Sequence, residues 1–384
     1  MGKIKIVYII DTLQTGGAEK SLVDIAINNN YFDCVFITIY KGDFLVKILE
    51  AHNIKVYSLN IATRYSFSEA VDKLIPLLHE INPDVIHSTL FRSDIIARRL
   101  KKHFKIPLIN SFVNNSYTND RYSKLSLTAK LKLYLVQCYD MITAQKVDCF
   151  ISNSETIKLS NAKALRINLD KIKVIYRGRN SILFDNISAD VVKQLKIKLQ
   201  LEGKTVFLNV SRLLDRKGQL DLITAFREVN KINPETVLLI AGEGSYRSEL
   251  ETAINEFGLE KSVLLLGNRE DIPVLLKMAD FFVFPSYYEG LPGALIEAMM
   301  AEKIIICSDI PENKECATIN EVIFFSKGDI GDLKLKMREV IMNAEQYSDK
   351  GKAAKQLANQ KFDINKVVEY YHQTYNELIQ SHSK

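Results

Sequence analysis

The sequence predicts an α/β protein built from two Rossmann-like, doubly wound parallel-sheet domains facing a central cleft, and three observations carry that prediction. At 384 residues the chain is longer than one ordinary core organises and suits two. Short apolar, β-rich runs alternate with helical patterns from the outset, as strands do when helices cover both faces of a sheet. That rhythm stops at a polar stretch near 179–190 and then starts again.

The first series of strands is expected at 4–10, 34–39, 56–59, 85–87, 108–112, 149–152 and 174–176. The second is expected at 206–210, 237–241, 263–266, 281–284, 304–307 and 322–325. Domains are therefore placed at 1–180 and 181–362. Val367, Val368, Tyr371, Tyr375, Leu378 and Ile379 recur at helical spacing, so 363–384 reads as an amphipathic helix crossing back to the first domain. No internal repeat or low-complexity tract interrupts the pattern.

Composition narrows the class. With 47% apolar and 25% charged residues the chain can bury full cores, which argues against disorder. Five scattered cysteines without a CxxC pair suggest reduced thiols rather than a metal or redox centre. The N-terminal run lacks the order of a secretory signal, and no apolar stretch nears the roughly 20 residues that span a bilayer. A cytoplasmic protein with at most peripheral membrane contact is expected. Charge is uneven: residues 1–180 hold 26 Lys and Arg against 16 Asp and Glu, and residues 181–384 hold 25 against 30. The two halves are expected to face different partners.

The chemistry concentrates after the run 281–284. Pro285-Ser286-Tyr287-Tyr288-Glu289-Gly290-Leu291-Pro292-Gly293 leads into Ala294-Leu295-Ile296-Glu297. A glycine-rich turn, a proline at a first helical position and a run of helix formers predict a helix N-terminus aimed into the cleft. Its free N–H groups suit an anion, above all a phosphate. Glu297 falls roughly 6–8 Å along that helix at ~1.5 Å per residue, near the span from a pyrophosphate to its ribose hydroxyls. Glu289, in the loop ahead, is placed where a transferable sugar presents its hydroxyls. Two glutamates at this spacing are by themselves more often a solvated loop carboxylate and an exposed helix residue; the turn and helix start between them favour a site.

A second cluster follows the run 206–210, where Arg212 and Lys217 precede a helical stripe. A fork-shaped and a point cation there can clamp a diphosphate and stand in for a metal, although a solvated basic loop has the same residues. In the first half, Asp11-Thr12-Leu13-Gln14-Thr15-Gly16-Gly17-Ala18-Glu19 opens a helix without the G-x-G-x-x-G spacing of a dinucleotide site. Gly16 and Gly17 suit close approach to a donor phosphate or an acceptor, or simply a turn.

With GGAE at 16–19, SRLLDRKG at 211–218, AGEG at 241–244, EGLPGALIEAM at 289–299 and SDIPENKE at 308–315, the chain resembles the retaining GT-B glycosyltransferases of glycosyltransferase family 4. The likeness covers nearly the whole chain in order. It implies a nucleotide-sugar donor, UDP- or GDP-linked, held by the second domain, an acceptor held by the first, and neither a divalent metal nor another cofactor. Position by position it implies Arg212 and Lys217 on the diphosphate, Glu297 on the ribose and Glu289 on the donor sugar. It puts the backbone of Gly290, Leu291, Pro292 and Gly293 at the leaving phosphate and Arg269 near the base. Glu243, Gly16 and Gly17 join the donor contacts. The implied mechanism is front-face substitution, in which the departing phosphate takes the acceptor's proton and stabilisation of the leaving group carries most of the rate.

One departure concerns the first domain, where many relatives place a histidine near the donor sugar and this chain has Asn114 in Ser111-Phe112-Val113-Asn114. His87 is expected to end its strand pointing towards the cleft, or to be a satisfied structural histidine. The basic stretches 97–105 and 121–132 mix Lys and Arg with Leu, Phe and Tyr, which suits an anionic leaflet at the inner face of the cytoplasmic membrane and a glycan or polyprenyl-linked acceptor. A solvated helix face has the same composition, and no nucleic-acid module accompanies the charge. The leading expectation is a sugar transfer in surface polysaccharide, lipopolysaccharide or glycolipid synthesis. The same fold would also serve a sugar-nucleotide epimerase or a non-catalytic nucleotide-sugar-binding accessory protein.

Overall fold

A computed structural model describes residues 3–123 and 125–382. Met1, Gly2, Lys124, Ser383 and Lys384 lie outside the described residues, and with them one lysine of the basic stretch 121–132. The chain divides into two units, one joining 1–178 to 364–384 and the other comprising Arg179–Asp363.

Among the described residues the first unit holds seven strands: β1 (Lys5–Ile10), β2 (Asp33–Thr38), β3 (Lys55–Ser58), β4 (Val85–Thr89), β5 (Leu108–Phe112), β6 (Cys149–Ser152) and β7 (Ile172–Val174). They form one parallel sheet in the order β3-β2-β1-β4-β5-β6-β7. The second unit holds β8 (Thr205–Val210), β9 (Thr236–Ala241), β10 (Val263–Gly267), β11 (Phe281–Phe284), β12 (Ile304–Ser308) and β13 (Ile323–Phe325), parallel in the order β10-β9-β8-β11-β12-β13. Every expected strand is present. The last of the first series sits two residues early, because Ile172 to Val174 pair with Phe150 to Ser152 of β6.

Seven helices bear on function: α1 (Gly17–Ile27), α2 (Phe91–Leu100), α3 (Leu127–Ala144), α4 (Gln219–Ile232), α5 (Gly293–Met300), α6 (Pro311–Cys316) and α7 (Ile364–His382). Alternation along β1 sorts them into layers. Ile6, Tyr8 and Ile10 share a core with Leu22 and Val23 of α1 and with Val367, Val368 and Tyr375 of α7. Val7 and Ile9 face the other way, towards Ile96 and Leu100 of α2. The C-terminal helix thus supplies one wall of the first unit's core.

In each sheet the connections reverse direction beside the first strand of the series, between β1 and β4 and between β8 and β11. Chain segments leaving the carboxyl ends of such a strand pair diverge, which is where ligands bind in doubly wound sheets. The glycine turn at 16–17 leaves β1, and the two charged loops of the second half leave β8 and β11.

Candidate active site

In the second unit, β8 delivers 211–218 and β11 delivers 285–292 to the same edge. Gly218 makes their contact close: its φ is +68° and a Cβ there would run into the Pro285 carbonyl, so a side chain is excluded on both counts. The backbone N–H of Tyr287 donates to the Arg216 carbonyl (2.9 Å), and the Tyr287 hydroxyl donates to Asp221 Oδ2 of α4 (2.5 Å). The loops are tied along their length before any ligand arrives.

This tie brings Lys217 against Glu289. Their side chains, both largely buried, form a direct ion pair between Nζ and Oε1. Arg216 adds its Nη1 at 3.6 Å from Glu289 Oε2, donates to the Tyr288 carbonyl (2.9 Å) and stacks its guanidinium over the Tyr288 ring at 5.1 Å. Burial pushes the Lys217 ammonium down, and the like charges of Arg216 and Arg212 push the same way against the pull of Glu289. Burial raises the Glu289 carboxyl, but Lys217, Ser286 and Arg216 together outweigh it and the group ends below its usual value. Glu312, buried near the start of α6, is pushed up by burial and by the nearby Glu289 charge. Arg212, by contrast, is exposed.

The helix start differs from the expected one by a residue: Pro292 is the N-cap and Gly293 the first helical residue. Proline's fixed φ suits either position, and what the cap lacks is a side-chain acceptor for the first N–H groups. Glu297 stands in the second turn, but not alone. Arg179, the first residue of the second unit, donates from Nε to Glu297 Oε1 at 2.7 Å. Its Nη2 lies so close to Gly293 that a Cβ there would collide with it.

The remaining positions of the second unit are engaged locally. Arg269 forms a two-pronged pair with Asp271, Nε to Oδ1 at 2.8 Å and Nη2 to Oδ2 at 2.5 Å. Glu243 accepts from Arg247 (2.6 Å), while its carbonyl accepts from the Leu213 N–H (3.0 Å), fastening the glycine-rich 241–244 turn to the segment after β8.

In the first unit, Gly16 is the N-cap of α1 and Glu19 is buried in its first turn. The Glu19 carboxylate folds back over Gly16 so tightly that a Cβ would strike it, and the Arg177 guanidinium lies 3.1 Å from where a Cβ of Gly17 would be. Asn114 lies exposed beyond β5, with Oδ1 accepting from Ser116 (2.8 Å). Of the two readings of His87, a strand-end residue pointing towards the cleft and a satisfied structural histidine, the structure corrects the first and has the second. The strand continues through Ser88 and Thr89, and His87 is fully buried, with Nδ1 2.8 Å from the Tyr375 hydroxyl and Nε2 2.7 Å from Ser111 Oγ. Burial pushes its pKa down to about 3, so the ring is neutral.

Within the stretch 97–105, Lys102 and Lys105 are exposed and Arg98 is not. Arg98 is buried, donating to Asn110 (2.7 Å) and Asp140 (2.5 Å), because α2 packs this face on the sheet and on α3.

Comparison with known proteins bears directly on this arrangement. The family described as Glycosyl transferases group 1 matches residues 191–357, spanning both charged loops and α5, and Glycosyltransferase Family 4 matches residues 35–181. The chain belongs to glycosyltransferase family 4. It is 29% identical over 318 residues to the capsular polysaccharide biosynthesis glycosyltransferase CapH of Staphylococcus aureus, covering 81% of this chain and 83% of that one. It is 27% identical over 333 residues to the UDP-Gal:alpha-D-GlcNAc-diphosphoundecaprenol alpha-1,3-galactosyltransferase of Escherichia coli, covering 83% and 82%. The fold matches Anabaena HepE, solved in complex with UDP and glucose, at a TM-score of 0.85 and 22% identity over 97% of this chain and 100% of that one. The two sheets are the GT-B architecture.

Within this glycosyltransferase two cations escaped the reading of the sequence. Arg216 was visible in the Asp215-Arg216-Lys217-Gly218 run, but only the fold turns it onto the loop that carries Glu289. Arg179 gave a fainter signal, an arginine beside Gly178 where the strand rhythm pauses, and its partner Glu297 is 118 residues away.

Proposed function

We propose that this glycosyltransferase moves a sugar, with retention of configuration and without a metal, from a nucleotide-sugar donor held by the second unit to a lipid-linked saccharide held by the first, in the synthesis of a cell-surface glycan. The observation that carries this reading is the convergence of Arg216 and Lys217 on the loop holding Glu289, with Arg212 exposed on the same segment, next to an α5 start with no carboxylate in its first turn. Such a site favours a group that gains negative charge as a bond breaks.

In this reading Arg212 and Lys217 hold the diphosphate, and the N–H groups of Gly290, Leu291 and Gly293 meet the leaving phosphate; Pro292 has none to give. Glu297 accepts from the ribose diol and Glu289 from the donor sugar. Arg269 and Glu243 flank the nucleoside. The bond from the anomeric carbon to the phosphate oxygen breaks, the acceptor oxygen bonds to the same face, and its proton passes to the departing phosphate. The acceptor class follows the Escherichia coli relative, whose acceptor is a diphosphoundecaprenol-linked sugar.

A lipid-linked acceptor needs contact with a bilayer. No helix among the described residues is long and apolar enough to cross one. Helix α3 instead exposes Leu127, Leu131, Leu135 and Ile142, with Lys130 and Lys132 on the same element. An apolar face with lysines suits peripheral attachment to an anionic leaflet at the cytoplasmic side.

A thermal-shift panel of UDP-, GDP- and ADP-sugars should show one base raising the melting temperature by mass action. Radiolabel should then pass from that donor to N-acetylglucosaminyl-diphosphoundecaprenol, undiminished by EDTA. No shift with any nucleotide sugar would sink the donor assignment, and loss of transfer with EDTA would sink metal independence. Substituting Leu131 and Ile142 by Glu should release the protein from anionic liposomes; unchanged binding removes the membrane contact.

A further inference from the structure

A cavity of the first unit collects polar atoms that have nothing to bond. It lies beyond the carboxyl ends of β4, β5 and β6, beneath α1, and Ser21, Thr89, Ser111, Asn153 and Arg177 are among its walls. Ser21 Oγ, Thr89 Oγ1 and Asn153 Oδ1 are buried without a hydrogen-bond partner among the described residues. Thr89 is 1% exposed and Asn153 is 6% exposed. Three orphaned polar atoms from three separate elements around one space are costly unless something fills it.

A fourth group is aimed there by the buried chain behind it. The Tyr8 and Tyr375 hydroxyls are 2.9 Å apart, Tyr375 is 2.8 Å from His87 Nδ1, and His87 Nε2 is 2.7 Å from Ser111 Oγ. Tyr8 is fully buried and, among the described residues, has only Tyr375 to receive its proton, so Tyr8 donates to Tyr375. Tyr375 must then donate to Nδ1, and the neutral ring carries its hydrogen on Nε2 and donates to Ser111. The opposite direction would strand the Tyr8 hydrogen. Ser111 thereby keeps its own O–H free to donate into the cavity.

The ligand these groups ask for accepts from a hydroxyl and donates to the Asn153 amide oxygen, as a hydroxyl group does. The cavity, about 20 Å³, has room for a water or one hydroxyl and not for a phosphate. We propose that it is a subsite for one hydroxyl of the saccharide acceptor, occupied by water in the resting protein. This rests on the first unit holding the acceptor. Ser111 and Thr89 donate to that hydroxyl oxygen, whose hydrogen goes to Asn153 Oδ1, and the acceptor is oriented without any charge being spent.

Two measurements test it on the full chain. A crystal structure should place an oxygen within hydrogen-bond distance of Thr89 Oγ1 and Asn153 Oδ1; an empty cavity overturns the proposal. With N-acetylglucosaminyl-diphosphoundecaprenol as acceptor, Thr89→Val and Asn153→Leu should each raise acceptor KM about tenfold, leaving UDP affinity within about twofold, since each strips a bond from a buried hydroxyl. Thr89→Ser, which keeps the hydroxyl, should stay near the unaltered chain. Unchanged acceptor KM, or an equal loss of UDP affinity, overturns it, the first by reducing the cavity to a structural water. If the unaltered chain transfers to no lipid-linked saccharide, the acceptor reading fails and the subsite, which rests on it, fails with it, whereas transfer by the unaltered chain with unchanged KM in the variants overturns the subsite alone.

Discussion

The two units solve the same local problem, a glycine-led helix start at the edge of a parallel sheet, in opposite electrostatic ways. In α1 the positive end is met from within, because Glu19 of the first turn is buried and folded over Gly16. In α5 there is no side-chain cap and no acid in the first turn, and the Arg179 guanidinium lies against Gly293. At the α1 start one acid, Glu19, and one cation, Arg177, lie against the glycines, whereas near the α5 start four cations, Arg179, Lys217, Arg216 and Arg212, face two acids, Glu289 and Glu297. Since an anion is worth roughly 0.3–1 kcal/mol at an exposed helix N-terminus and more when partly buried, only the second helix has an unmet demand for one. Similar turn sequences thus do not imply similar ligands.

The strongest blow to that contrast should be Lys217→Ala. It removes the cation proposed for the leaving group and leaves buried Glu289 with Arg216, at 3.6 Å, as its remaining cation, a loss on the order of a few kcal/mol. Turnover should fall at least about a hundredfold, the scale of losing one electrostatic stabiliser; near-normal rates would show that the second helix end does not face the developing charge. Next in size, Glu297→Gln should raise donor KM about tenfold through the lost ribose contact, about 1.4 kcal/mol. If Arg179 instead exists only to hold Glu297, Arg179→Gln should reproduce that change without lowering kcat, and steady-state kinetics on both variants separates the two.

Acidity offers a third test, because the units should respond with opposite sign. Asp94 in α2 is held up to about 7, burial outweighing the lowering by Arg98 and Ser88. Its folded form binds the proton more tightly than the unfolded chain, so its contribution to stability falls as pH rises from about 4 to about 7. Glu289 is lowered, so its contribution is present above the unfolded carboxylate value and is lost as pH falls through its folded value. Asp94→Asn should flatten the pH dependence of melting of the first unit between pH 5 and 7.5, by roughly 2–4 °C for each kcal/mol involved. A slope that survives the substitution assigns it elsewhere. The smallest effect is expected at the capped helix, where Glu19→Gln should cost about 1 kcal/mol by thermal denaturation and leave donor KM unchanged. A rise in donor KM there would break the comparison, because it would make the first helix end part of the donor site.

Some of this was legible in the chain itself. Apolar periodicity located all thirteen strands, since a buried parallel strand must be continuously apolar over a few residues and the turn signals bound it. The helix start after β11 was legible for the same local reason: glycine and proline fix backbone angles wherever they fall. Charge partners were harder. The sequence assigns Lys217 to the diphosphate and Glu289 to the donor sugar, yet they meet in one ion pair because Gly218 lets their loops touch. His87 was read from a strand thought to end with it, and two more residues of β4 put it indoors beside Tyr375, 288 residues away.

The sequence by itself determined two doubly wound sheets and the places where each chain segment turns into a helix, because those follow from hydrophobic period and from the backbone limits of glycine and proline. Only the tertiary structure decided which charges are spent on the protein and which stay available. Ion pairs such as Arg179 with Glu297 form between residues that strand order, not proximity along the chain, brings within 3 Å, and burial then sets whether each group is ionised.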